Sequence, residues 1–89
     1  MKTILINVYA NSINTSILRQ RLEQLSASCY VISSTSFLIR YMGSTKDIYD
    51  SIYDIINDTN VFVCEINTLP GEYWGYMDKS LWDWMKDNA

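Results

Sequence analysis

Histidine is absent from this 89-residue sequence, and several other residue types are scarce. Without histidine the chain lacks the commonest general base and the commonest metal ligand, so catalysis would depend on carboxylates, a thiol or a tyrosine. Cys29 and Cys64 lie far apart in separate strand-like runs, which favours buried thiols over a disulfide or a zinc site. The sequence therefore predicts no metal site and no cofactor.

Long apolar runs and an excess of basic residues are missing as well. No stretch approaches the roughly 18 apolar residues of a membrane span, and the N-terminal MKTILINVYAN is too short for a signal peptide. We expect a cytoplasmic protein without a membrane contact. Seven basic residues stand against ten acidic ones, for a formal charge of −3. Because phosphate binding depends on clustered Lys and Arg, a nucleic-acid partner is not expected.

The residues that are present suffice for one small domain. With 48% hydrophobic residues in 89 positions, the chain is near the size at which a single core becomes independently stable. A second copy or a partner would therefore add appreciable stability. We predict a single domain over residues 1–89, with a core at 1–69 and a C-terminal extension at 70–89.

Strand-like and helix-like runs alternate along the core. The helical patterns lie in NSINTSILRQRLEQLS and in STKDIYDSIYDIINDTN, the second opening with the capping-box spacing of Ser44 and Asp47. The β-type runs are TILINVYA, SCYVIS, SFLIRYMG and NVFVCEI. The order β-α-β-β-α-β predicts an α+β, ferredoxin-like fold, in which a four-stranded antiparallel sheet carries both helices on one face.

The other face of such a sheet would be apolar and uncovered by the two helices. An apolar face of that size needs a cover, and either the C-terminal extension or a second subunit could supply it. The extension reads as a short helix after Asp78, on which Leu81, Trp84 and Met85 share one side and Trp82 lies on another. The predicted dimer or partner interface comprises Leu5, Leu38, Trp74, Tyr76, Trp82, Trp84 and Met85. The alternative is that the tryptophans complete a small core.

A row of carboxylates follows the second predicted helix. Asp47, Asp50, Asp54 and Asp58 are spaced by three, four and four residues, which makes an acidic stripe opposite the isoleucines. One interpretation is a solvated helix face. The other is a mimic of a phosphate row that engages a basic groove on a nucleic-acid-handling protein. Four carboxylates spread over three turns cannot converge on one metal ion.

An RNA-binding sheet is a further interpretation of the same strand order. RNA-recognition domains stack bases on aromatic residues of their first and third strands. Phe37, Arg40 and Tyr41 would lie on the third strand, but the first strand has no matching aromatic residue and the net charge is negative. The sequence therefore argues against this use of the fold.

The chain resembles a family of small bacterial and phage proteins. The opening TILINVYAN, the SSTSFLIR hairpin and the closing YWGYMDKSLWDWMK are similar to the SinR-like proteins of ferredoxin-like fold. These are related to the VapD-like ribonucleases and to the small dimeric protein of CRISPR spacer acquisition. The resemblance implies a homodimer in which sheet faces meet and the closing segment reaches the neighbouring subunit. The resemblance also implies that the nuclease relatives hold a divalent metal with an aspartate at the end of the first strand. The matching stretch of this chain, Asn7 to Asn11, has no carboxylate, which argues against metal-dependent nucleolysis.

These observations favour a non-catalytic, homodimeric protein that binds another protein. Its partner would be a nucleic-acid-handling or phage-defence complex, in a phage or mobile element whose AT-rich genome fits the Asn-, Ile- and Tyr-rich composition. One alternative is a metal-dependent nuclease that uses Glu65 or Asp47. Another is a structural dimer without a further partner.

Overall fold

The computed structural model describes residues 2–9, 15–56, 59–67 and 74–87. Within these ranges the chain forms a four-stranded antiparallel sheet and three helices, which confirms the predicted α+β class. None of the described helices is long and apolar enough to cross a bilayer. In chain order the elements are β1 (Lys2–Val8), α1 (Thr15–Leu25), β2 (Cys29–Ser33), β3 (Ser36–Tyr41), α2 (Thr45–Ile56), β4 (Val61–Ile66) and α3 (Lys79–Asp87).

The strands lie in the order β2-β3-β1-β4, and every neighbouring pair is antiparallel. β1 aligns Leu5 with Leu38 of β3 on one side and with Cys64 of β4 on the other. The outer strands are β2, which is bulged between Val31 and Ser33, and β4, which is not. The central strands β1 and β3 carry apolar residues on both faces at their middle, where Leu5 and Leu38 are paired on the face opposite Ile4 and Ile39.

One face of the sheet packs against α1 and α2 and holds the larger core. Side chains alternate along a strand, so this helix-covered face receives the even-numbered residues of β1 and the odd-numbered residues of β3. Leu18 and Leu22 of α1 are fully buried on it. The cluster comprises Ile4, Ile6, Val8, Leu18, Leu22, Phe37, Ile39, Ile48, Ile52 and Ile56.

The start of α2 shows how local sequence sets an element boundary. The Asp47 backbone N–H donates to Ser44 Oγ at 3.1 Å, and the Ser44 backbone N–H donates to Asp47 Oδ2 at 3.1 Å. This is the reciprocal capping box that the sequence predicts. Gly43 precedes it in tight surroundings, because a Cβ there would lie 2.8 Å from Asp47 Oδ2 and would collide with the Tyr41 ring.

Candidate protein interface

The second face of the sheet is partly covered by α3 of the same chain. Leu38 on this face is 2% exposed, and it packs with Leu81 and Met85 of α3. Leu5 and Tyr30, also on this face, are half-buried against the same cluster. The C-terminal helix therefore supplies in its own chain a cover of the kind that the sequence analysis required.

Specific contacts attach α3 to the edge strand β2. Tyr30 Oη and Ser80 Oγ are 2.6 Å apart and form a hydrogen bond at the start of the helix. Further along, the Tyr30 and Trp84 rings lie with centroids 6.0 Å apart and planes tilted by 47°. Trp82 and Trp84 are both half-buried against the Leu38 cluster. Both tryptophans of α3 thus contribute to its packing on the sheet.

The residues just before α3 present their side chains to solvent. Trp74 is 98% exposed, Tyr76 is 101% exposed and Met77 is 44% exposed. We call residues 74–77 the aromatic arm. Its Gly75 lies close to the Trp82 ring, since a Cβ on Gly75 would be 3.8 Å from Trp82 Cη2. Trp and Tyr are enriched in binding hot spots, so these two exposed aromatic residues mark a candidate contact surface.

A second group of exposed aromatic residues lies across β1 and β4. Phe62 is paired with Asn7, and the Tyr9 backbone N–H donates to the Asn60 carbonyl oxygen at 2.8 Å. Phe62, at 55% exposure, belongs to the second face by strand alternation. Tyr9, at 63% exposure, lies one residue beyond β1, where its bond to Asn60 continues the ladder. The described part of α3 leaves them exposed. The sequence analysis had not singled out either residue as a site, although Phe62 alternates with the half-buried Val61 and Val63.

The acidic stripe is locally paired in the structure. Asp47 caps α2, as described above, and Asp50 accepts from Lys46 Nζ at 2.7 Å. Asp54 makes a bidentate contact with Arg21 of α1, with N–O distances of 2.9 and 3.1 Å. Asp58 lies outside the described residues. Of the three described carboxylates, Asp50 and Asp54 are thus each paired with a cation, Lys46 of α2 and Arg21 of α1.

The Arg21–Asp54 pair shifts the pKa of both partners. The hydrogen bond from Arg21 holds the pKa of Asp54 below its ordinary value, and the same bond raises the pKa of Arg21. Arg21 also donates to the Ser51 carbonyl oxygen, so it joins α1 to α2 at two points. The Arg21–Asp54 contact spans 33 positions in sequence, and no local sequence pattern predicts it.

The cysteines behave as partly buried thiols. Desolvation raises the pKa of Cys29, which packs against the first core cluster, with a smaller contribution from the charge of Glu23. Desolvation also raises the pKa of Cys64 on β4. Both are free thiols in the structure. A raised thiol pKa lowers the thiolate fraction near neutral pH and with it the reactivity of each side chain.

The chemistry of a catalytic site is sparse in the described residues. Within them no three His, Cys, Asp or Glu side chains come together as a metal site would require. Glu65 is exposed on β4 opposite Ile4, and Asp47 is engaged at the start of α2. A cleft of about 150 Å³ lies beside the first turn of α1. It is smaller than typical ligand pockets, which measure about 300–1,000 Å³. Its lining residues are Thr15, Ser16, Arg19, Val31, Ser34 and Phe37.

Comparison with known proteins does not assign the chain to a family. No protein-family model matches it, and no curated protein shows significant similarity to it. The resemblance to the SinR-like and VapD-like proteins therefore stays a prediction.

Proposed function

We infer that the fold is ferredoxin-like, with a C-terminal helix added to the second face. The strand order β2-β3-β1-β4, read from the other edge, is 4-1-3-2, and β3 lies between β1 and β2 with antiparallel pairing on both sides. That arrangement agrees with a split βαβ pattern. The packing of α1 and α2 in one cluster with the sheet also supports this interpretation.

We propose that the protein is a non-catalytic interaction protein that binds another protein through the aromatic arm. The observation that carries this proposal is the full exposure of Trp74 and Tyr76 beside a helix that is packed on the sheet. A rigid neighbour reduces the conformational entropy that the arm loses on binding. Trp and Tyr also contribute large contact areas for a low entropic cost.

Self-association is part of the same proposal. At 89 residues the chain gains appreciably from any additional buried surface, and the exposed Tyr9 and Phe62 offer apolar area beyond α3. We propose a homodimer as the working state. α3 of the same chain already occupies part of the face at which the family resemblance places a second subunit, so the dimer needs another surface.

The acidic stripe is a weaker support for a specific class of partner. A phosphate-row mimic needs carboxylates that are available to a basic groove. Asp50 is paired with Lys46 and Asp54 with Arg21, so these two carboxylates are partly neutralised within the chain. A nucleic-acid-handling or phage-defence complex remains the proposed class of partner because exposed pairs such as Lys46–Asp50 are weak and can be exchanged for cations of another protein.

The test compares arm variants with a matched control in quantitative capture experiments. The variant Trp74→Ala/Tyr76→Ala removes both arm side chains, and Ile17→Ala/Met42→Ala removes two exposed apolar side chains elsewhere. A protein that binds the wild type should bind the control equally. Its Kd for the arm variant should rise at least about thirtyfold, since hot-spot truncations cost about 2 kcal/mol or more.

Two results would contradict the proposal. One is a partner whose Kd is the same for the arm variant and the control, which would place the binding surface elsewhere. The other is magnesium- or manganese-dependent cleavage of RNA or DNA by the pure protein that is abolished by chelator and by Glu65→Ala or Asp47→Ala. That second result would establish the nuclease alternative.

A further inference from the structure

The two edges of the sheet differ in how they are protected against pairing. β2 is five residues long, carries a bulge between Val31 and Ser33, and is overlaid by α3 through Tyr30. β4 is six residues long, keeps a regular register with β1, and contains neither proline nor a basic residue. Natural sheets usually protect their edges with bulges, prolines, charges or covering elements. Among the described residues, β4 has only Glu65 in this role.

The backbone of β4 presents a complete row of hydrogen-bonding groups to the outside. The Tyr9 N–H donates to the Asn60 carbonyl oxygen, so Tyr9 and Asn60 are a hydrogen-bonded pair of the β1–β4 ladder. In an antiparallel ladder these pairs alternate with non-hydrogen-bonded ones. The backbone N–H and C=O groups of Phe62, Cys64 and Ile66 therefore point toward β1, and we call these residues inward-bonding. Those of Val61, Val63 and Glu65 point away from the sheet, and we call these residues outward-bonding.

Apolar side chains border this edge on both faces of the sheet. Phe62 is 55% exposed on the second face. On the other face, α2 packs beside β4, and Arg21 of α1 reaches the side of α2 that carries Ser51 and Asp54. Tyr49 and Tyr53, at i and i+4, lie on the opposite side of α2, toward the β4 edge.

These two tyrosines form an exposed aromatic pair. Their ring centroids are 5.9 Å apart in an edge-to-face arrangement, and they are 38% and 51% exposed. Together with Phe62 they give the β4 edge an apolar border above and below the strand. Such a border favours a partner strand that brings apolar side chains of its own.

We propose that β4 pairs antiparallel with β4 of a second copy of this chain, about a two-fold axis at Val63, to form a continuous eight-stranded sheet. This inference rests on the homodimer proposed above and assigns its surface. Val63 then faces Val63 of the second copy, and Val61 faces Glu65. All three outward-bonding residues of each strand find hydrogen-bonding partners, which a shift of two residues in register would prevent.

Side-chain chemistry is compatible with this register. On the second face Phe62 lies opposite Cys64 of the second copy, as a non-hydrogen-bonded pair in which a large apolar side chain meets a small one. The two copies of Glu65 lie at opposite ends of the contact. Along the strand axis, Glu65 and Glu65 of the second copy are four residues apart, which is about 14 Å. This separation exceeds the Debye length at physiological salt. No like charges face each other.

A proline substitution at Glu65 provides the first test. The Glu65 N–H points outward, so Glu65→Pro removes a donor from the proposed contact without removing a bond to β1 or a buried side chain. By symmetry two intersubunit hydrogen bonds are lost. We expect the dimer dissociation constant, measured by analytical ultracentrifugation, to rise at least about tenfold. The matched control Glu65→Ala keeps the N–H and removes the edge charge, so it should dimerise at least as tightly as the wild type. Circular dichroism verifies that both variants are folded.

Disulfide crosslinking tests the register in the full-length chain. In a Cys29→Ala background, Phe62→Cys should form an intersubunit disulfide with the native Cys64 under mild oxidation, since non-hydrogen-bonded pairs place Cα atoms about 4.5 Å apart. Ile17→Cys, a comparably exposed site on α1, should not crosslink to Cys64. Peptide mass spectrometry identifies the linked residues.

The possible outcomes distinguish failure of the β4 contact from failure of the homodimer itself. A wild-type chain that stays monomeric up to high micromolar concentration would overturn the homodimer and this surface together. A dimer that Glu65→Pro leaves intact, and that forms no Phe62→Cys crosslink, would keep the homodimer and overturn the β4 contact. A dimer lost only in Trp74→Ala/Tyr76→Ala would assign the contact to the aromatic arm. A crosslink that persists after Cys64→Ser would overturn the Val63-centred register.

Discussion

Truncation of Leu81 tests whether α3 is an integral part of the fold. Leu81 is 5% exposed and packs on Leu38 together with Met85. Leu81→Ala removes three buried carbon atoms, which is worth roughly 2–2.5 kcal/mol of transfer free energy, and any cavity that does not collapse adds to this. A terminal helix can shift to close such a gap, so we expect a total of about 2–3 kcal/mol.

The expected loss corresponds to a large change in thermal stability. For a domain of this size, each kcal/mol lowers Tm by about 4–8 °C, so Leu81→Ala should lower it by about 10–20 °C. All three tryptophans lie in the aromatic arm or in α3, so their fluorescence reports on the docking of the helix. Far-UV circular dichroism followed in parallel reports on the sheet and the other helices.

Two observations would refute this reasoning. If Leu81→Ala changed the free energy of unfolding by less than about 0.5 kcal/mol, the effect would be that of an ordinary surface substitution and α3 would not pack as described. The control Tyr76→Ala, at a fully exposed position two residues before Asp78, should stay within that range. A control as destabilised as Leu81→Ala would show that the arm packs on the domain.

Three further predictions follow from local contacts. Ser44→Ala should cost about 1 kcal/mol of unfolding free energy, measured by urea denaturation, because it removes the hydroxyl that caps α2. Asp54→Asn should be less stable than the wild type at neutral pH, and the difference should vanish in acid. Because the pKa of Asp54 is lower in the folded state, its charged form stabilises the fold above the ordinary carboxyl pKa. That stabilisation is lost as the pH falls through the lowered pKa of the folded state. Cys29 should react with iodoacetamide more slowly than an unfolded-chain cysteine at pH 8, since burial raises its pKa, and urea should abolish the difference.

Much of the fold could be predicted because its signals are local. The helical pattern predicted in NSINTSILRQRLEQLS contains α1, and the capping box of Ser44 and Asp47 marks the start of α2. β2 and β3 form a hairpin at the SSTSFLIR stretch named in the sequence analysis, with Ser34 and Thr35 between the strands. Each of these features depends on residues within about four positions of one another, where spacing alone determines the geometry.

Features that depend on distant residues could not be predicted in the same way. The Arg21–Asp54 contact joins two helices, and the Tyr30–Ser80 bond joins β2 to α3 across 50 positions. The exposure of Phe62 is equally non-local, since it depends on how far α3 extends over the sheet. Periodicity assigns Phe62 to a face, but only the packing shows which part of that face stays uncovered.

The C-terminal segment combines two roles that the sequence alone could not separate. Its aliphatic residues Leu81 and Met85 are buried on the sheet, whereas Trp74 and Tyr76 expose nearly all of their surface. Burial on the home subunit stabilises the fold, and exposure beside a packed helix favours binding. Stability and partner affinity should therefore respond to different substitutions: loss of the arm should weaken binding at unchanged Tm, while loss of Leu81 should reduce both, because an undocked helix no longer holds the arm in place.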